Sequence, residues 1–441
     1  MATPSPSTAA VQARRPCAVS AEGSRILSEL RREGACSRID LGFRTGLSKA
    51  VLGARLRELG DRELVVEERP GLSTGGRPPA LVRLARDTAY VVAISITHHH
   101  VRAALADLNA EPRCVIEDDV GTDDRQAVLE HVRRLIEEVL VRSEVPRDRV
   151  QGIGVGVEGP VEAQSGSLRT VSPLVGPLAI HDDLEREYPW PVVVDNDANL
   201  LALAEAWAAG ARDSRDFFFV KIGSGVGCGI FFDGQLYRGA DGWAGELGHV
   251  PVPGHDGPCT CGNAGCLNTV AAGPALAAAA EELARSGASA YLRGVWKERE
   301  RLSAEDLGAA LRHGDQAAAG VIKRAGNSVG QVLGGIVSFC NPSLIVIGGR
   351  ATRLGDLLLS AIREGVYRWS LPLSARHLAI TASQLGDDGP LIGAAAMALG
   401  AVYGIVPFPG ATGAAAEAID QPAAPAARAG ARAGGAEGQT V

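Results

Sequence analysis

The sequence predicts an α/β protein whose duplicated body follows a small N-terminal unit of helices and a hairpin. Helical segments and then a Gly/Pro-tipped hairpin occupy residues 24–84. From residue 89 onward, apolar strand segments alternate with amphipathic helices. Strand–turn–strand patterns at residues 90–107 and 217–236 begin two similar halves, which indicates an internal duplication.

The N-terminal unit reads as three short helices. The first is predicted to start with Ser24 as its N-cap and to stop at Gly34. The second is closed by Gly46, and the third begins with Ser48 as its N-cap. One face of the third helix carries the apolar residues Val51, Leu52, Leu56 and Leu59.

The segment "LVVEERPGLSTGGRPPALVRL" then predicts two strands around a Gly/Pro/Ser tip. Helix, helix-turn-helix and β-wing in this order are typical of a winged helix-turn-helix, a DNA-binding unit. Such units read bases with early residues of the recognition helix, which here places Ser48, Lys49, Gly53 and Arg55 in or near the major groove. Arg77 on the "GGRP" tip fits the narrow minor groove of A·T-rich DNA.

The distribution of charge agrees with a DNA-binding head on an acidic body. The whole chain carries a net charge of −7. Residues 21–86 hold 13 Lys and Arg against 9 Asp and Glu, a net of +4 that leaves −11 on the remainder. No apolar run reaches the roughly 18 residues of a membrane span, and the N-terminus lacks a signal-peptide pattern. We therefore expect a cytoplasmic protein without a membrane partner.

The body is predicted as strands and helices in alternation. The strands are "YVVAISI", "VRAALAD", "VQGIGVGVEG", "VVVDNDAN", "DFFFVKIG" and "LIVIGG". The helices are "RQAVLEHVRRLIEEVLVR", "LLALAEAWAAG" and "AGNSVGQVLGGIVSFC". The Ala/Gly-rich C-terminal residues contain almost no large apolar side chains and are expected to be disordered.

Three of the eight cysteines lie within eight residues, in "CTCGNAGC". Cys259, Cys261 and Cys266 together with one imidazole form a Cys₃His set suited to tetrahedral zinc. The imidazole comes from His249 or from the competing His255. Four protein ligands leave no open position, so the zinc is predicted to be structural. The alternative is a group of unpaired structural cysteines.

Two further segments could carry chemistry. The glycine-rich turn in "IGSGVGCGIFFDG" could approach phosphate closely, although any tight hairpin also requires glycine. Asn196 and Asp197 follow a strand, where catalytic carboxylates lie in α/β folds. The alternative reading is that Asp195 or Asp197 caps the next helix. The "HHH" at residues 98–100 is not expected to bind metal, because neighbours in a turn seldom converge on one ion.

From residue 24 to about 400 the chain resembles the ROK family of repressors, open reading frames and sugar kinases. The resemblance is carried by "GELGHVPV", "CTCGNAGC", "VDNDANLLALAE", "IGSGVGCGI" and "NPSLIVIGG". It implies an actin-like (sugar kinase/Hsp70) ATPase fold of two duplicated lobes, and the repressor branch adds a winged helix-turn-helix. By position, Asp197 matches the catalytic base of the kinases, and Asn196, Glu246 and His249 match sugar-contacting residues. His249 also matches the zinc ligand that accompanies the three cysteines.

Several departures from the kinase pattern point away from catalysis. The "D-x-G-G-T" phosphate loop is replaced by "SITHH" at residues 95–99. Asn268 stands where the kinases have a sugar-binding Glu, so a charge-assisted hydrogen bond is lost. Glu158 stands where the family has Pro or another small residue, and the "GW" of the sugar loop is missing.

These observations predict a transcriptional repressor that binds an A·T-rich inverted repeat as a homodimer or tetramer. A sugar or sugar phosphate is the expected effector, with Asn196, Asp197, Glu246, His249 and Asn268 as candidate contacts. The alternatives are an active ATP-dependent sugar kinase with a DNA-binding head, and a ligand-independent dimeric regulator. The expected domains are a disordered stretch at 1–20, the winged unit at 21–86, the effector and oligomerisation body at 87–405 and a tail at 406–441.

Overall fold

The computed structural model describes residues 19–68, 80–97, 100–120, 125–164, 167–172, 176–178 and 180–409. Arg77 of the predicted wing tip, together with His98 and His99, lies outside these residues. Nearly all of the two predicted disordered ends also lies outside them.

The N-terminal unit, called the head below, contains three helices and a three-stranded antiparallel sheet of order β1-β3-β2. Its elements are α1 (Ala21–Glu33), β1 (Cys36–Ser37), α2 (Arg38–Thr45), α3 (Lys49–Asp61), β2 (Val65–Glu68) and β3 (Leu81–Leu84). The helices and the hairpin occur in the predicted order. Strand β1 was not predicted, because two residues are too few to carry a periodic pattern.

The helix ends of the head follow from its serines and glycines. Ser48 caps α3 by accepting from the Val51 amide, and Gly46 closes α2 with a left-handed φ of 67°. The prediction that Ser24 caps α1 is wrong. Ser20 is the cap, because its hydroxyl accepts from the Gly23 amide.

The apolar face of α3 is narrower than predicted. Leu52, Leu56 and Leu59 are buried, whereas Val51 is 38% exposed. Val51 lies one position off the stripe that faces α1, so its side chain reaches the surface.

The body contains two five-stranded sheets. The first lobe comprises β4 (Tyr90–Ile96), β5 (His100–Ala106), β6 (Pro112–Asp119), α4 (Arg125–Arg142), β7 (Val150–Val157), β8 (Val161–Gln164), β9 (Ser167–Ser172), β10 (Gly176–Leu178), α5 (Ile180–Glu187) and β11 (Val192–Asn196). The second part comprises α6 (Asp197–Ala208), β12 (Phe217–Ile222), β13 (Val226–Phe232), β14 (Gln235–Tyr237), α7 (Asn268–Ala271), α8 (Gly273–Ser286), α9 (Ala290–Arg299), α10 (Ala304–Arg312), α11 (Gln316–Cys340), β15 (Leu344–Gly348), α12 (Asp356–Trp369), β16 (Ala379–Ala382) and α13 (Gly389–Tyr403).

The two sheets have the same topology, as the predicted duplication requires. The first has the order β11-β7-β4-β5-β6 and the second the order β16-β15-β12-β13-β14. In both sheets, two parallel strands extend one side of an antiparallel hairpin. The strand that follows the hairpin in sequence, β6 or β14, forms the opposite edge. Two predicted helices begin earlier than expected, since Asn196 caps α6 and Asp315 caps α11.

The helix that follows the last strand of each sheet packs against the sheet of the other lobe. Helix α6 follows β11 of the first sheet but packs against β12 and β13 of the second, and α13 follows β16 but packs against β4 and β7 of the first. The two helices cross where Gly393 lies against Leu200, so closely that a Cβ on Gly393 would lie 2.0 Å from the Leu200 carbonyl oxygen. Only glycine permits this backbone contact.

The head and the first lobe share one hydrophobic core. Ile26 and Leu30 of α1 belong to the same buried cluster as Val91 of β4, Trp207 of α6 and Leu399 of α13. The head is therefore packed on the body rather than joined only by a linker.

Candidate ligand cleft and metal cluster

A cleft of about 1000 Å³ lies between the two sheets, at the ends of their strands. Its walls come from both lobes and include Ser95, His100, Arg102, Lys221, Ser224 and Arg350. The two-lobed fold thus places a large, partly open cavity where strand ends of both sheets meet, which is the usual ligand position in such folds.

The centre of the cleft holds an ionic group of three residues, Lys221, Asp197 and Glu158. The Lys221 ammonium donates to Asp197 Oδ2, and to Glu158 Oε1 at 2.9 Å. Ser224 also donates to Glu158 Oε1, at 2.5 Å. Because Glu158 follows β7 of the first sheet while Lys221 and Ser224 belong to the second, this group links the two lobes across the cleft.

All three charged side chains are close to buried, with 10–14% of each exposed. Burial alone would lower the pKa of Lys221, but the carboxylates of Asp197 and Glu158 hold it above its usual value. Burial raises the pKa of Asp197, and the Lys221 ammonium opposes that rise. At neutral pH the lysine is therefore charged and balances buried carboxylate.

Two arginines of the cleft and the nearby His100 are also paired with acidic side chains. Arg102 contacts Asp388 at 2.8 Å and Glu117 at 3.2 Å. Arg350 contacts Glu305 at 2.6 Å. His100, the described member of the histidine triplet, lies 2.6 Å from Asp119.

Asp197 lines this cleft, whereas Asn196 and Asn268, also predicted to bind sugar, hydrogen-bond to backbone groups. Asn196 caps α6 by accepting from the Ala198 amide at 2.8 Å and donates to the Gly159 carbonyl at 2.7 Å. Asn268 accepts from the Val226 amide at 2.8 Å. The alternative that Asp195 or Asp197 caps α6 is wrong, because Asn196 does so.

Glu246 lies close enough to both Asp197 and His249 for their charges to act on it. Partial burial raises the pKa of Glu246, His249 lowers it and Asp197 raises it again. Glu246 and His249 are thus near Asp197, which lines the cleft, and polar side chains there could contact hydroxyl groups.

His249, Cys259, Cys261 and Cys266 form a compact cluster whose donor atoms all lie within 4.8 Å of one another. Sγ of Cys261 and Sγ of Cys266 are 3.7 Å apart, and Cys259 Sγ is 3.6 Å from His249 Nδ1. Tetrahedral zinc with Zn–S near 2.3 Å and Zn–N near 2.0–2.1 Å requires donor separations of about 3.8 and 3.6 Å. The cluster can hold a metal ion.

The loop that carries the cysteines is shaped by two glycines with positive φ, Gly262 at 94° and Gly265 at 75°. The other candidate histidine, His255, lies outside the cluster, since its Nε2 is 2.8 Å from the Thr269 hydroxyl. The geometry therefore selects His249 between the two alternatives. The pKa of Cys261 is lowered to about 7, chiefly by the hydrogen bond from the Asn263 amide.

On the head, the first residues of α3 are free of the core. Ser48 and Lys49 are exposed. Arg55 is half-buried and pairs with Glu58 at 2.7 Å and with Glu22 at 3.6 Å, so a base contact by Arg55 would have to replace these partners.

The important residue that the sequence reading missed is Lys221. It interrupts the otherwise apolar strand "FFFVKI", and a lysine in such a strand is almost never buried without a partner. That pattern could have identified a buried ion pair. Its partners could not have been named, because they lie 24 and 63 residues away in sequence.

Comparison with known proteins gives a consistent result. The ROK family model matches residues 91–401. A putative xylose repressor from Caldicellulosiruptor sp. (strain Rt8B.4) is 29% identical over 386 residues, covering 85% of this chain and 94% of that protein. The crystal structure of a ROK family transcriptional regulator, a homolog of the E. coli MLC protein, superposes with a TM-score of 0.75 at 28% identity, covering 86% of this chain and 96% of that one.

A ROK family glucokinase from Streptomyces griseus, solved with glucose and AMPPNP, superposes with a TM-score of 0.62 at 26% identity. The superposition covers 99% of the kinase chain but only 70% of this one, which leaves nearly a third of this chain without a counterpart in the kinase. None of the described helices has both the length and the apolar composition needed to cross a bilayer.

Proposed function

Because this chain belongs to the ROK family, we propose that it is a DNA-binding transcriptional repressor whose body responds to a sugar or a sugar phosphate. The observation that carries the proposal is the head of three helices and a three-stranded sheet that precedes the two-lobed body. The repressor named above covers 85% of the chain, more than the body alone provides.

The head binds DNA as a winged helix-turn-helix. Helix α3 enters the major groove, and Ser48 and Lys49 at its start contact the DNA. Their exposure beside the buried face of α3 supports this role. Arg77 on the wing contacts the minor groove of an A·T-rich operator. Two heads of a homodimer occupy the two halves of an inverted repeat.

The Lys49→Ala variant is expected to bind DNA about 5- to 150-fold more weakly if Lys49 contacts a base. If Lys49 contacts a phosphate instead, the slope of the logarithm of the binding constant against the logarithm of salt concentration is expected to become smaller by about 1. The probe is duplex DNA that the wild-type protein selects from fragments of its own genome, and fluorescence anisotropy measures affinity. Lys323→Ala removes an exposed lysine from α11 of the body and serves as the matched control. Equal affinity of both variants and wild type at all salt concentrations would refute the assignment.

The effector occupies the cleft, with Asp197, Glu246 and His249 near its hydroxyl groups and Asn196 and Asn268 shaping the site. Titration of the protein–DNA complex with a panel of sugars and sugar phosphates tests this. An effector at 100 times its Kd stabilises the protein by about 2.7 kcal/mol, which a thermal shift detects. A ligand-independent regulator would show neither a thermal shift nor a change in DNA affinity with any compound of the panel.

Kinase activity has been lost. The support is the ionic group at the cleft centre, where Lys221 engages Asp197 at the position of the kinases' catalytic base. A base that must accept a substrate proton is weakened by a salt-bridging ammonium. Glu158 adds a negative charge that would repel the phosphates of ATP. Ser95 stands in place of the phosphate-loop Asp.

A coupled ADP-release assay with ATP and the same sugar panel is expected to give no sugar-dependent turnover. The rate of wild type should equal that of Asp197→Asn, because no chemistry depends on this carboxylate. Turnover that disappears in Asp197→Asn would establish the alternative, an active sugar kinase with a DNA-binding head.

The metal of the Cys₃His cluster is zinc, held by His249, Cys259, Cys261 and Cys266 in a structural role. Thiolates with imidazole favour zinc over magnesium or calcium, and four protein donors leave no position for substrate. Zinc would fix the loop that carries His249 and Glu246 to the cleft.

The protein assembles as a homodimer or tetramer through an apolar surface at the ends of α11 and α12. Phe339 is 92% exposed and Leu373 77%, and Tyr367, Trp369 and Leu371 are at least half exposed. Hydrogen bonds join the two segments, from the Leu371 amide to Ser338 and from Asn341 to the Ser374 carbonyl. Exposed apolar groups of this size are typical of a protein interface.

Phe339→Glu is expected to lower the oligomeric state, because a charge would be buried in the interface. Light scattering of the full-length chain at several concentrations measures the mass. Val141→Glu changes an apolar side chain of α4 that is 75% exposed and is the control. An unchanged mass for Phe339→Glu would show that the interface lies elsewhere on the protein.

A further inference from the structure

The two crossing helices α6 and α13 both run from the cleft to the head. Helix α6 begins at Asp197, which contacts Lys221 in the cleft. Helix α13 begins next to Asp388, which contacts Arg102 in the cleft at 2.8 Å. Near their opposite ends, Trp207 of α6 and Tyr403 of α13 are contacted by α1 of the head.

The head supplies hydrogen-bond donors to both of these helix ends. The last carbonyls of a helix have no partner within the helix. The Ser24 hydroxyl donates to the Tyr403 carbonyl at 2.7 Å. Arg31 Nη1 donates to the Trp207 carbonyl at 2.8 Å, and Nη2 donates to the Pro407 carbonyl, beyond the end of α13, at 3.4 Å.

Arg31 is buried, with 8% of the residue exposed, and its guanidinium lies 4.2 Å from the centre of the Trp207 ring. Burial lowers the pKa of Arg31 to about 10, so the side chain remains charged at neutral pH. A cation at a helix C-terminus is favoured by the helix dipole, and one over an indole ring is favoured by the ring quadrupole. One side chain of the head is thus bound to the end of α6 and to the segment that follows α13.

A rotation of one lobe against the other changes the angle between these helices, because α6 packs mainly on the second sheet and α13 on the first. They touch at Leu200 and Gly393. At 1.5 Å per residue the end of α13 lies about 15 Å from this contact, so a 10° change of the crossing angle moves it by roughly 2–3 Å. Arg31 can keep its hydrogen bonds through such a displacement only if the head moves with the helix end.

We propose that Arg31 is a positioning residue that couples the opening of the cleft to the orientation of the DNA-binding head, by holding the head to the ends of α6 and α13. The proposal rests on the proposed function, since the head is taken to bind DNA. When the lobes rotate, Arg31 carries the head with the helix ends and changes how two heads of an oligomer meet their half-sites.

The experiment combines one change in the cleft with one change at the head in the full-length chain. Glu158→Ala removes the contacts of Glu158 with Lys221 and Ser224 across the cleft and leaves Lys221 paired with Asp197. Arg31→Met removes the coupling contacts, and Arg31→Lys keeps the charge but cannot reach both carbonyls. Arg25→Met is the control on α1, because its contact with the Thr45 carbonyl stays within the head.

Two readouts are measured for every variant: affinity for duplex DNA selected by the wild-type protein, and amide hydrogen exchange of residues 21–33. Glu158→Ala is expected to change both at least fivefold when Arg31 is present. The change is expected to fall below twofold in Arg31→Met, to be intermediate in Arg31→Lys and to remain full in Arg25→Met.

Equal effects of Glu158→Ala with and without Arg31, or no effect in the presence of Arg31, would overturn the coupling. If Arg31→Met does not fold, Arg31→Lys decides between these outcomes. If the wild-type protein selects no DNA, the proposed function fails, and the exchange measurements still decide whether the cleft and the head are coupled through Arg31.

Discussion

Cys259→Ser is expected to remove the metal from the Cys₃His cluster and to lower the free energy of unfolding by more than about 4 kcal/mol. The sulfur of Cys259 is one of four donors within 4.8 Å of one another, and its 3.6 Å separation from His249 Nδ1 matches what tetrahedral zinc requires. A structural ion contributes its binding free energy to folding, so loss of one thiolate forfeits far more than one side-chain contact. Metal analysis of the purified protein and urea unfolding measure the two effects.

Cys114→Ser is the matched control, because Cys114 is also a half-buried free cysteine but lies on β6, far from the cluster in sequence. It is expected to keep one equivalent of zinc and to change stability by less than about 1 kcal/mol. The zinc assignment would be wrong if wild type expressed with zinc held less than half an equivalent, or if both serine variants behaved alike.

Lys221→Met is expected to destabilise the protein by about 3–5 kcal/mol at pH 8. The substitution leaves Asp197 and Glu158 as two neighbouring buried carboxylates without the ammonium that balances them. Lys323→Met, at an exposed position of α11, is expected to have an effect of less than about 0.5 kcal/mol. Urea unfolding of the full-length chain gives both values.

The loss in Lys221→Met should be smaller at pH 5 than at pH 8. Burial already raises the pKa of Asp197, and removal of the lysine raises it further. A carboxyl whose pKa is raised on folding favours the folded state below its unfolded pKa, and this contribution disappears as pH rises through the folded pKa. The double variant Lys221→Met/Asp197→Asn is therefore expected to recover part of the stability at pH 8. A cost that is independent of pH and unrelieved by Asp197→Asn would show that packing of the lysine stem, not its charge, matters.

The sequence was most informative where a local pattern determines the structure. The strand at residues 90–96, the helix at 125–142 and the cap at Ser48 lie where predicted, because periodicity and capping are properties of neighbouring residues. The ROK assignment and the actin-like fold of duplicated lobes are confirmed by the family match and by the superposed regulator and kinase. The roles of Asn196, Asp197, Glu246, His249 and Asn268 toward a sugar stay predictions.

Contacts between distant segments could not be read from the sequence. The pairing of Lys221 with Asp197 and Glu158 depends on how the two lobes close on each other, which no local pattern encodes. The exchange of α6 and α13 between the sheets is likewise a property of the fold. The misplaced cap at Ser24 has a local origin instead, because Ser20, four residues earlier, accepts from the Gly23 amide and caps α1.

The core shared by the head and the first lobe limits whether the head can be separated from the body. A head cut from the chain would lose the partners of two buried side chains, because Ser28 accepts from the Val406 amide and Arg31 donates to the Trp207 carbonyl. The unit is thus not an independent module that could be moved to another body with its flanking linker. If α3 reads the operator as proposed, new specificity can arise by changes on its outer surface, whereas exchanging the whole head would also require a new partner surface on α13.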